Sequence, residues 1–81
     1  MNDACQFTTM LNRGSRRLGV VLMPYLGRAR AHHRGSVIAQ TLLEGRGDPV
    51  SVATSLLPEL SGTLQRNAAA HVARAWLSLR A

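Results

Sequence analysis

Phe7, Met10, Leu11, Gly14, Leu18, Val21 and Leu22 recur every three or four residues. This repeat gathers side chains along one side of an α-helix and does not fit the strict alternation of a strand. On the same helical wheel Arg13, Arg16 and Arg17 occupy the opposite side. The chain therefore begins as a basic amphipathic helix that must bury its apolar stripe against something else.

Pro24 is expected to end or kink that helix, because an internal proline removes a backbone donor and crowds the preceding turn. Proline is welcome at a helix start, so a second helix is expected from about Pro24 to Glu44. Ala31, Ile38, Ala39 and Leu42 mark its inner face, with Gly35 among them where another backbone comes close. Gly27 and Gly35 each weaken it by about 1 kcal/mol relative to alanine, which leaves two shorter helices as the alternative. The segment "EGRGDP" is the clearest break, with Asp48 and Pro49 in the order of an N-cap and first turn. A third helix over Pro49 to Leu57 follows; an edge strand over "VSVATS" is the alternative, although no partner strand is evident. Leu64, Ala68, Val72, Ala75 and Leu79 line one face of a last helix. The expected fold is all-α, a small bundle-like domain of three or four helices spanning residues 1–81.

Its core must be thin. A compact chain of this size buries only about 60 to 65% of its unfolded surface. It holds one Phe, one Tyr, one Trp and one cysteine, Cys5, so neither an internal disulfide nor a four-cysteine zinc site braces it. A homo-oligomer or a partner surface is one expected way to complete such a core; the alternative is a monomer of marginal stability.

The charge is unevenly laid out. All ten basic residues are arginine, against four acids, for a net charge of +6. Residues 1–40 carry six arginines and one acid, a balance of +5, whereas residues 41–81 carry four arginines and three acids, a balance of +1. No acid stands between Ala4 and Leu43. Such a run attracts anions, whether nucleic acid, an acidic membrane surface or an acidic protein. The apolar stretch Leu18–Leu26 is broken by Gly19 and Pro24 and is too short to span a bilayer, and it lacks the form of a secretory signal. The arginine-rich first helix also has the character of a mitochondrial presequence, but cleavage near Ser36 would leave too little chain to fold alone. A cytoplasmic location is expected, with mitochondrial targeting as the lesser alternative.

The densest basic stretch is "GRARAHHRG", Gly27 to Gly35. Arg30 and Arg34 are four apart and so neighbours on a helix, where two like charges repel unless an anion lies between them. Two guanidiniums make a suitable phosphate clamp, and a solvated stripe is the plainer reading. His32 and His33 point about 100° apart on a helix and cannot chelate one ion, so no metal site is expected. Nor is there a cofactor motif. The carboxylates Asp3, Glu44, Asp48 and Glu59 are scattered, and no serine stands in a nucleophile elbow, so no enzyme activity is expected. Trp76 and Arg80 can stack, but Trp76 is better read as covering the edge of the core. The order "HRGS", "LLEGRGD", "LL", "S" and "HV" is similar to the C-terminal catalytic segment of tyrosine recombinases, and the resemblance would place Arg34 at that family's arginine with Ser36 close by. Asn67 or Ala69 falls where the family's tyrosine belongs, so its strand-cleaving chemistry is not expected here.

These readings converge on a small basic binding protein without enzymatic activity. Its expected partner is nucleic acid or another anion, contacted through Arg13, Arg16, Arg17, Arg28, Arg30 and Arg34. The alternative is a helical protein-interaction adaptor or chaperone-like module whose arginines mainly serve solubility.

Overall fold

The computed structural model describes residues 2–80, with side chains from Cys5 onward. Four helices and no strand are found among them: α1 (Asn2–Leu26), α2 (Arg28–Leu43), α3 (Pro49–Ser55) and α4 (Gly62–Arg80). The all-α expectation holds, and "VSVATS" is helical.

The first boundary corrects the reading from sequence. Pro24 lies inside α1, and the chain turns instead at Gly27, where φ is 82°. That backbone conformation is natural for glycine and disfavoured for side chains carrying a Cβ. The Gly27 amide donates to the Met23 carbonyl at 3.0 Å, closing α1, while its own carbonyl accepts from Ala31 at 2.9 Å, opening α2. Pro24 forfeits one helical hydrogen bond near the end of the helix, where only Tyr25 and Leu26 remain, and both pack against the core. Tertiary packing thus holds the final turn that the proline weakens.

From this corner α2 folds back along α1. Gly35 meets α1 so closely that a Cβ there would lie 2.7 Å from the Gly19 nitrogen and 2.9 Å from the Ser15 carbonyl oxygen. Further along, a Cβ on Gly14 would come within 3.2 Å of Ala39 and 2.7 Å of the Trp76 ring. Gly14 of α1 and Gly35 of α2 are therefore two places where a helix gives up side-chain volume, the first to the indole and the second to the α1 backbone. Trp76 is 1% exposed and lies inside the core with Leu18, Leu22, Ile38, Leu57 and Val72. Leu64, expected on the inner face of α4, is instead 57% exposed.

α4 packs against α1 and α3, and α3 touches α2. Asp48 caps α3 as expected, its carboxylate accepting from the Ser51 amide at 3.1 Å. That backbone bond, and after it the Ser51 hydroxyl, holds the Asp48 carboxyl below its ordinary pKa. α3 ends at Ser55, two residues before the expected Leu57. The carbonyls at and just beyond its end are met by side chains from elsewhere. Gln65 donates to Leu57 at 3.2 Å and to Thr54 at 3.4 Å, and Arg34 donates to Leu56 at 2.6 Å.

Candidate nucleic-acid interface

The outer side of α1 follows from the helical repeat. Burying Gly14, Leu18 and Leu22 turns Arg13, Arg16 and Arg17 to solvent, and all three are exposed. Continuing along the same side come Val20 and Met23, 60% and 41% exposed. A basic ridge thus runs into an apolar tip beside the Gly27 corner.

Two grooves flank the ridge. On the α2 side, Arg16 and Arg28 belong to the walls of one groove of about 730 Å³ whose surface is otherwise formed by Gly19, Val20, Met23, Ala29 and His32. Residues twelve apart in sequence meet here because the Gly27 corner reverses the chain. On the α4 side, Arg17 and Arg74 line a second groove of about 490 Å³ together with Val21, Pro24, Tyr25 and His71. The Tyr25 hydroxyl and His71 Nδ1 lie 3.0 Å apart, and the two rings stand edge to face with centroids 6.1 Å apart. Among the described residues no carboxylate lines either groove.

The six arginines singled out from sequence do not share one surface. Arg13, Arg16 and Arg17 share the outer side of α1, and Arg16 lines one groove with Arg28 at the start of α2. Arg30 is exposed but lies about 200° around the helix from Arg28, on the stripe shared with Arg34. Arg34 is engaged within the protein: its guanidinium contacts the Glu59 carboxylate at 2.7 and 2.9 Å in addition to the Leu56 carbonyl. The positive guanidinium sits beyond the C-terminal end of α3, where carbonyl dipoles favour a cation. Arg34, read from sequence as a clamp partner of Arg30 or as part of a solvated stripe, is instead occupied within the protein. Besides this pair, Arg46 meets Glu44 at 3.2 Å, and Arg13, Arg16, Arg17, Arg28 and Arg30 form no ion pair among the described residues.

Sequence reasoning overlooked Arg74 and Tyr25. His71 and Arg74 are three apart on α4, a spacing that places them on one face. Nothing in the chain order announces that Tyr25 and Arg17 of α1 lie opposite them. Among the described residues no group of three or more His, Cys, Asp or Glu is placed to hold a metal ion, and no helix is long and apolar enough to cross a membrane. Neither family models, nor curated proteins, nor solved structures gave any match to this chain. The recombinase-like order of residues thus has no family model behind it, and Arg34 is held by Glu59.

Proposed function

We propose that this protein is a non-enzymatic nucleic-acid-binding domain that grips the phosphate backbone with Arg13, Arg16, Arg17 and Arg28. The observation that carries the reading is the pairing of arginines and acids: Glu59 and Glu44 occupy Arg34 and Arg46, while Arg13, Arg16, Arg17 and Arg28 form no ion pair among the described residues. A cluster of guanidiniums without counter-charges raises the local positive potential, and phosphates displace its loosely held counter-ions. Arg16 and Arg28, on two walls of one groove, can address successive phosphates.

Salt dependence tests this directly. With about four phosphates neutralised on duplex DNA, log affinity against log salt falls with a slope of about −3.6. Replacing Arg16 and Arg28 together by Gln flattens that slope by about two and weakens all sequences alike. Absence of salt-dependent binding to both duplex and single strands, measured by fluorescence anisotropy, overturns the proposal. One observation favours the adaptor instead, the exposure of Val20 and Met23 in the α1–α2 groove. An apolar floor of this kind suits a partner helix, and an adaptor shows no salt-dependent affinity for nucleic acid.

A further inference from the structure

We infer that the α1–α4 groove seats an unpaired base, so that the protein prefers single-stranded nucleic acid to duplex; this rests on the nucleic-acid reading above. The groove joins the two ingredients of single-strand recognition, a surface on which a base can lie and cations for the flanking phosphates. Val21, Pro24 and Ala75 supply apolar wall, and the Tyr25–His71 pair supplies the aromatic surface. Arg17 and Arg74 line the same groove from α1 and α4. Its volume of about 490 Å³ lies within the range typical of small-molecule pockets.

The polar groups fit a base as well. The Tyr25–His71 bond occupies Nδ1 of the imidazole and leaves Nε2 outside it, and the Ser78 hydroxyl lies along the same wall. Both can bond the edge of a base. In a duplex those edges are paired and the faces stacked, so a duplex reaches the arginines but cannot enter the groove without losing a base pair. The α1–α2 groove, although larger, lacks an aromatic partner other than His32. Single-strand preference is accordingly assigned to the α4 side.

Fluorescence anisotropy with a labelled mixed-sequence strand of about 12 nucleotides, alone and annealed to its complement at the same salt, tests the assignment. The single strand is expected to bind about tenfold more tightly. His71→Ala, at an exposed position, is expected to lower single-strand affinity several-fold with an unchanged salt slope and unchanged duplex affinity. Arg74→Gln flattens the single-strand slope by about 0.7. Tyr25→Leu, accompanied by circular dichroism, should match His71→Ala; if it unfolds, His71→Ala decides. Equal affinity for the two probes, or a His71→Ala protein that binds single strands as the parent does, overturns the inference while the phosphate-binding reading stands. Binding to neither probe removes both.

Discussion

Gly19 and Gly35 face each other across the α1–α2 contact, yet their surroundings differ. A Cβ on Gly35 runs into backbone atoms of Gly19 and Ser15, which cannot swing aside as a side chain can. A Cβ on Gly19 meets only the His32 Cα at 3.6 Å and the Ala31 carbonyl at 3.7 Å, ordinary van der Waals separations. Gly35→Ala is therefore expected to force the helices apart and destabilise by about 1 to 3 kcal/mol. Gly19→Ala is expected to stabilise by about 0.5 to 1 kcal/mol, since alanine restricts the unfolded chain and suits a helix interior. Urea denaturation of the two variants gives midpoints shifted in opposite directions, and a shift in the same direction would refute this account of the crossing. That Gly35 approaches another backbone was legible in the sequence from its place among inward residues. Which backbone it approaches, and that Gly19 has room to spare, depended on the crossing itself.

At the scale of elements, α3 is the weakest unit, seven residues long and short of what an isolated helix needs. Asp48 secures its beginning, and Gln65 and Arg34 reach its end from α4 and α2. The Arg34–Glu59 pair is partly shielded, with side chains 25% and 24% exposed, so its coupling lies at the upper end for surface pairs. A double-mutant cycle of Arg34→Gln and Glu59→Gln is expected to give about 1 kcal/mol of coupling. Arg34→Gln alone is expected to cost more than Glu59→Gln, because it also leaves the Leu56 carbonyl without its donor. Coupling near zero in thermal denaturation would show that the pair does not hold α3 in place. The N-cap was readable because capping is local, involving residues three apart. The ion pair spans twenty-five positions and had no local trace, which is why Arg34 read as a free cation.

For the whole molecule, the long axis of about 42 Å is largely set by α1, whose twenty-five residues extend about 37 Å. Alanines take up much of the interior, among them Ala31, Ala39, Ala53, Ala68, Ala69 and Ala75, with Trp76 as its single buried aromatic. Alanines let helices approach closely but remove little apolar surface from water. An isolated chain is therefore expected either to associate or to have a stability of about 3 to 5 kcal/mol. Sedimentation showing a monomer at every concentration together with a melting temperature above about 90 °C would contradict this.

The helical class, the basic outer side of α1, the Asp48 cap and the acid-free run from Ala4 to Leu43 were determined by the sequence itself. Each depends on composition or on residues a few positions apart, where helical geometry alone settles which side chains are neighbours. The tertiary structure decided that α1 continues through Pro24 to Gly27, because packing of Tyr25 and Leu26 offsets the lost hydrogen bond. It also decided which arginines remain unpaired. Arg34 and Glu59 are distant in the chain, as are Arg16 and Arg28 or Tyr25 and His71, and only the Gly27 reversal and the docking of α4 bring them together. Charge is a property of composition, but its availability to a partner is a property of distances across the fold.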